Sequence, residues 1–168
     1  MSKDPASGRR IPPPRAPRSV PLHLVRDDYA ISCDPRYLDL DLIHRFLSEK
    51  SYWAEGVPID VVRRSLAGSI PFGLYRGDPL AGVAKLVGFT RVVTDRATFA
   101  WICDVFVLEE HRGKGLGKWL MESVLAHPDL QGLRQTVLAT KDAQGLYARY
   151  GFEPTPVGRF MSIRRPYR

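Results

Sequence analysis

Residues 109–119 read EEHRGKGLGKW, directly after the strand-like run WICDVFVL at 101–108. Gly113, Gly115 and Gly117 alternate with Lys114, Leu116 and Lys118, and Leu116, Leu120 and Val124 then fall on one helical face. A helix starting here leaves several first-turn N–H groups without intrahelical partners. The helix dipole adds partial positive charge at the same end. Glycines permit left-handed dihedrals and let a ligand approach the backbone closely. With Arg112, Lys114 and Lys118 alongside, the stretch reads as an anion site shaped for phosphate oxygens. A plain strand-to-helix turn is the competing reading.

Two common phosphate loops do not fit. A Walker loop requires Gly, four residues, then Gly-Lys-Ser/Thr. Here Gly117-Lys118 is followed by Trp119, and Arg112 stands where the first glycine belongs. The dinucleotide pattern Gly-x-Gly-x-x-Gly fails too, because it ends on Lys118 when started at Gly113 and on Leu120 when started at Gly115. The stretch also lies deep in the chain, after several strands, rather than behind the first strand of a parallel unit.

The surrounding sequence orders the elements. LHLVRDDYAIS (22–32) reads as a strand. Asp34 is then the cap of a helix with Pro35 in its first turn and Leu38, Leu42, Ile43, Phe46 and Leu47 at helical spacing. SYWAEGVP (51–58) breaks that pattern, and Pro58 opens a second helix carrying Val61, Val62 and Leu66. IPFGLYR, AKLVGFTRVVT and ATFAWICDVFVL follow as consecutive antiparallel strands, joined by GDPLAG and by Asp95-Arg96. Behind the glycine stretch and its helix come a strand QTVLAT, a short helix DAQGLYARY ending at Gly151, and a last strand GRFMSIRR. This order indicates a mixed α/β sheet.

Composition limits the alternatives. The 168 residues correspond to about one domain. No apolar run approaches the roughly 20 residues of a membrane span, and MSKDPASGRRIPPPRAPRS has no apolar core of a secretory signal. Cys33 and Cys103 are too few for a disulfide framework, so a reduced, cytoplasmic protein is expected. His23, His44, His111 and His127 are scattered, which points to no metal site and no nucleophilic triad. The net charge of +7 lies at the ends: residues 1–20 carry +4 and the last five carry +3, leaving 21–163 neutral overall. Nucleic acid is therefore not the expected partner, and residues 1–21 read as a disordered Arg/Pro-rich tail before a domain at 22–168. PPPRAPR within that tail also has the look of a polyproline ligand.

What remains of the glycine pattern is Arg-x-x-Gly-x-Gly, present as Arg112, Gly115 and Gly117. It resembles the acetyl-CoA loop of the GNAT acetyltransferase superfamily. DVFVLEEHRGKGLGKWLMESVL is similar to the family's strand, loop and helix in unbroken register. LYARYGF, about 30 residues on, resembles a second signature in which a tyrosine precedes Gly-Phe by four positions; these are Tyr147, Gly151 and Phe152. The resemblance covers residues 22–163 in element order and is specific over 99–152. It implies a central, mostly antiparallel twisted sheet of six to seven strands with about four helices. It also implies acetyl-CoA as co-substrate, held by Val105, Phe106, Val107, Arg112, Gly113, Lys114, Gly115, Leu116, Gly117, Lys118, Thr140 and Tyr147, with no metal.

Acetyl transfer from a thioester to an amine needs few parts. A lysine-like amine of pKa about 10.4 is roughly 0.1% neutral at pH 7.4, a cost of about 4 kcal/mol that a general base lowers. The carbonyl oxygen needs donors as charge builds on it, and the departing thiolate needs a proton. By resemblance, backbone groups of Val105, Phe106 and Val107 pair with the pantetheine arm as an added strand would. Tyr147 matches the family's general acid. Asp104 stands three residues before Val107, where many members carry a glutamate base; being shorter, it would act through a water, and a structural hydrogen-bond acceptor is the other reading. Thr140 replaces an asparagine that contacts the arm in many members, and Glu109 replaces a proline.

On the acceptor side the resemblance points to SYWAEG. Tyr52 and Trp53 are candidates for an aromatic wall and Glu55 for an amine-attracting carboxylate. Phe72, Arg91 and Thr98 are weaker candidates, and Asp95 and Tyr150 read as structural. The expected activity is transfer of the acetyl group of acetyl-CoA to a small-molecule, amino-acid or peptide amine by direct attack in a ternary complex. A non-catalytic acetyl-CoA-binding module is the alternative, and a homodimer is compatible with either.

Overall fold

The computed structural model describes residues 21–165 and residue 167. The tail through residue 20, with its polyproline-like run, lies outside them. Six strands form one sheet in chain order: β1 (His23–Arg26), β2 (Tyr29–Ser32), β3 (Ile70–Asp78), β4 (Val83–Thr94), β5 (Phe99–Val107) and β6 (Gln135–Leu138). Neighbours are antiparallel up to β5, and β5 pairs with β6 in parallel. Four helices accompany them: α1 (Leu40–Lys50), α2 (Ile59–Ala67), α3 (Leu116–Leu125) and α4 (Gln144–Ala148). The mixed, mostly antiparallel sheet with four helices agrees with the sequence reading.

Three expectations are corrected. Residues 22–32 form a hairpin, not one strand: Arg26 pairs with Tyr29, and Asp27 takes a left-handed φ of 52° in the two-residue turn. Asp34 caps only one turn of 3-10 helix at Pro35–Tyr37, because Leu38 is extended (φ −71°, ψ 134°). α1 starts later, where Asp39 accepts from the Leu42 N–H at 2.9 Å. The segment 158–165 forms no strand; its backbone has no ladder partner, and Phe160, Met161 and Ile163 stand exposed.

The two faces of the sheet carry separate cores. On one, α3 lays Leu116, Trp119, Leu120 and Val124 against Ile31, Phe72, Leu74 and Ile102, with Tyr147 of α4 alongside. On the other, Ile43 and Leu47 of α1 and Val62 of α2 pack on Tyr75, Leu86, Phe89 and Phe106. Strand alternation explains the split, since successive side chains of β3 and β5 go to opposite faces. The second core stops short of the far ends of β4 and β5. There Val93 and Trp101 remain exposed, and Arg91 and Asp104 lie beside the α1–α2 connection.

Candidate active site

The site begins with an irregularity in β5. Gly88 pairs with Val107 and Phe89 with Phe106, but the next pair is Arg91 with Cys103. Asp104 and Val105 therefore oppose Thr90 alone, a bulge that re-aims the strand. Asp104 sits at its centre with φ 57°, a left-handed conformation that aspartate tolerates better than most residues. The Thr90 hydroxyl secures the bulge by donating to the Cys103 carbonyl at 2.8 Å.

β5 also loses its other neighbour at the same level. β6 pairs with it only from Phe99–Gln135 to Ile102–Leu138, so Cys103–Val107 have an open flank. The Leu108 N–H donates to Val87 of β4 at 2.8 Å. By alternation the N–H and C=O of Val107 face the open side, where the carbonyl accepts from Arg112 Nε at 3.0 Å. Phe106 is buried and stacks on Phe46 at 3.8 Å between centroids, so its side chain is core.

At the end of that flank the chain makes one turn of 3-10 helix (Glu109–His111) and then the glycine bend. Gly113 and Gly115 have φ 77° and 72°, which explains why those positions are glycine. No side chain caps α3, and the first of its amides to be bonded is that of Trp119, which donates to Gly115 O at 3.1 Å. The N–H groups of Leu116, Gly117 and Lys118 have no acceptor among the described residues. A Cβ placed on Gly113 or Gly115 would meet nothing within 4 Å, and one on Gly117 only Val107 Cγ2 at 3.9 Å. The bend is thus a set of bare amides facing open space.

Its three cations each have different surroundings. Lys118 is exposed on the first turn of α3. Arg112 reaches back to Val107. Lys114 Nζ donates to the Tyr29 hydroxyl at 3.2 Å, which also receives Arg76 Nη1 at 3.5 Å and bonds His111 Nδ1 at 3.1 Å. The Arg76 hydrogen bond, aided by Lys114, holds the Tyr29 phenol below its ordinary range. Beside this cluster a cleft of about 560 Å³ runs along Arg26, Tyr29, Lys114, Gly115 and Lys118. Nothing local in the sequence ties Tyr29 to a loop 85 residues away.

Tyr147 is 8% exposed, and its ring meets Phe152 edge-on at 6.0 Å. Its hydroxyl has no hydrogen-bond partner among the described residues. Burial pushes the phenol above its ordinary range, and the nearby Tyr52 and Asp142 act in the same direction. Gly151, at φ 84°, lets the Phe152 N–H return to the Tyr147 carbonyl at 3.3 Å and end the helix. Thr140 Oγ1 accepts from the Ala143 N–H at 3.0 Å, which leaves its proton to donate. Tyr150 is structural, bonding Lys118 O at 3.3 Å.

The acceptor-side candidates divide. Trp53 Nε1 donates to Asp104 Oδ1 at 3.1 Å, and Arg91 Nε donates to Asp104 Oδ2 at 2.6 Å. Tyr52 packs edge-on against Trp53 and accepts the Lys141 N–H at 3.0 Å, so the α1–α2 connection reaches the segment before α4. Burial pushes the neighbouring Cys103 thiol up to about 11, keeping it protonated. Glu55 is exposed and bonds to none of the described residues. Phe72 belongs to the core and Thr98 to the hairpin turn held by Asp95. Arg91, a weaker candidate from sequence, is thus in direct contact with Asp104. Among the described residues no cluster of His, Cys, Asp or Glu could hold a metal, and no helix is long and apolar enough to cross a membrane.

Comparison with known proteins places the chain in a family. The model of the Acetyltransferase (GNAT) domain matches residues 77–154, from the end of β3 past α4. A candidate acetyltransferase of Gibberella zeae is 34% identical over 145 residues, covering 77% of this chain and 81% of its own. A solved GNAT-family protein of Xanthomonas campestris pv. campestris is 48% identical, with a TM-score of 0.73 over 82% of this chain and 93% of that one. A GNAT acetyltransferase of Elizabethkingia anophelis, solved with acetyl-CoA bound, shares the fold at 16% identity, with a TM-score of 0.57 over 78% of this chain and 80% of that one. With its strand, bend and helix inside the matched segment, the chain belongs to the GNAT acetyltransferase family, and it is an acyltransferase.

Proposed function

We propose that the protein transfers the acetyl group of acetyl-CoA to a primary amine by direct attack in a ternary complex. One observation carries the reading: the open flank of β5 leads straight to the uncapped start of α3. A flexible arm ending in a diphosphate needs such a surface, an unpaired strand for the arm and bare amides for the anion. The residues fit the group. Cys103–Val107 offer the strand edge, with Val107 facing it directly. Gly113–Lys118 offer the amides, and the absence of a Cβ at Gly113 and Gly115 leaves room for phosphate oxygens. Arg112 and Lys118 add charge, Lys114 is within the same cluster, and Thr140 has a proton to donate.

Bound acetyl-CoA supplies an activated acetyl thioester. This chain's own residues then have three tasks. An N–H at the bulged stretch of β5 donates to the carbonyl oxygen as negative charge develops there. Tyr147, whose burial keeps its proton in place, donates that proton to the leaving thiolate. Asp104 is the proton acceptor on the amine side, and because Trp53 and Arg91 already engage both its oxygens, a water carries the proton to it. Tyr52 and Trp53 wall the approach of the acceptor, while Glu55 lies at its exposed margin.

Free CoA release tests the reading. Protein, acetyl-CoA and a panel of amines should give turnover that Tyr147→Phe suppresses. Binding of acetyl-CoA with no turnover on any amine would refute the proposed reaction, and no binding would refute the proposed site.

A further inference from the structure

The guanidinium of Arg91 is placed for more than holding Asp104. It lies on β4, opposite Cys103, and its side chain is 17% exposed. Only Nε is used, in the bond to Asp104 Oδ2. The two terminal nitrogens have no acceptor among the described residues, yet neither is sealed from solvent. A half-buried guanidinium with an unused terminal fork is poised for a second, bidentate partner, and a planar carboxylate matches that fork. Asp104 cannot serve as that partner. Its Oδ2 is held on Nε and its Oδ1 on Trp53, and neither oxygen bonds a terminal nitrogen.

The surroundings indicate which molecule brings the carboxylate. The fork shares the uncovered end of this sheet face with Trp53, Trp101 and Val93, which are 37%, 37% and 41% exposed. That surface borders the bulge of β5. We infer that the acceptor is an amine bearing a carboxylate on the adjoining carbon, an α-amino acid or its close analogue, with Arg91 as the residue that selects it. Resting on the acetyl-transfer reading above, the inference adds the acceptor's chemical class. Its geometry is self-consistent: a carboxylate on the fork holds an amine one carbon away beside Asp104, the group assigned to take the amine's proton. The apolar end of the face then receives the side chain.

The test compares matched acceptors: phenylalanine with phenylalanine amide and phenethylamine, leucine with leucine amide and isoamylamine, lysine with lysine amide and cadaverine. CoA release gives kcat/KM for each, referred to its neutral-amine fraction. Wild-type protein should favour the carboxylated member of at least one set by about tenfold or more, as a charge-assisted bidentate contact implies. Arg91→Gln should bring that ratio to within about twofold, and Arg91→Lys, which keeps the charge without the fork, should leave a smaller preference of the same sign. Reading a ratio cancels any effect of Arg91 on Asp104, because that effect falls on all members alike. Preference for the uncharged or decarboxylated members would overturn the inference. So would a ratio unchanged in either variant. Turnover only of amines lacking a carboxylate would overturn it while leaving acetyl transfer intact; failure to bind acetyl-CoA or turn over any amine would remove both.

Discussion

Replacing Tyr147 by phenylalanine separates chemistry from structure in this molecule. The substitution deletes one oxygen that makes no hydrogen bond among the described residues. The ring keeps its edge-on contact with Phe152, and the site is already largely buried. With no bond lost, stability should change by less than about 0.5 kcal/mol, a shift of no more than about 2 °C in Tm for a chain of this size. Acetyl-CoA affinity should stay within about threefold, since the strand edge and the bend are untouched. Turnover should nevertheless fall about 10²–10⁴-fold, the usual contribution of a positioned general acid, equivalent to roughly 3–5 kcal/mol in the barrier. The pH profile supplies a second readout. Because burial raises the Tyr147 phenol, it stays protonated past its ordinary value near 10. The wild-type kcat should therefore hold to at least about pH 10 before declining, and that decline should be missing from the variant. Steady-state release of CoA across pH, with a thermal melt of each protein, measures all of this. Turnover within threefold of wild type would refute the assignment, and a loss of fold or of cofactor affinity matching the loss of rate would refute the structural reasoning.

Other outcomes follow from the same geometry. Gly115→Val forces a β-branched residue to φ 72°, costing about 1–2 kcal/mol without any internal clash, while its side chain occupies the open bend; acetyl-CoA affinity measured by calorimetry should drop at least a hundredfold in a protein that still melts cooperatively. Asp104→Asn removes the proposed proton acceptor and leaves Arg91 without its carboxylate, so both kcat and Tm should fall, whereas a rise in Tm would show the pair to be a net cost. Asp95 is held well below the usual carboxylate range by the Thr98 hydroxyl and by the amides of Thr98, Ala97 and Phe99. Its folded value lies below its unfolded one, so its stabilisation is present above about pH 4 and is lost as pH falls through that range. Asp95→Ala should melt lower than wild type at pH 7, with the gap narrowing towards pH 3.

How far the fold could be read from sequence depended on whether the deciding interactions are local. The run from Phe99 to Leu125 was legible because a strand, glycines with positive φ and an amphipathic helix each leave a short-range mark, and so was Tyr147 with its Gly151 cap. The hairpin at 22–32 was not, because Asp27-Asp28 lacks the glycine that normally marks a two-residue turn. The start of α1 was misplaced because Asp34 and Asp39 are both good caps, and the proline after Asp34 strengthens the wrong one. The apolar residues of 158–165 suggested a strand, but a strand exists only through a partner. In the site, the register before Val107 singles out Asp104 as a candidate from sequence alone. Its bond to Arg91 depends on a bulge that shifts two antiparallel strands, and the link from Lys114 to Tyr29 joins residues 85 apart in the chain. Such pairings are set by topology and leave no trace in a window of ten residues.

The most direct measurement is a crystal structure of the protein with CoA. The account predicts diphosphate oxygens about 2.7–3.2 Å from first-turn amides between Gly113 and Lys118, with the arm laid along the open flank of Cys103–Val107. A nucleotide bound elsewhere, with those amides still facing solvent, would contradict it.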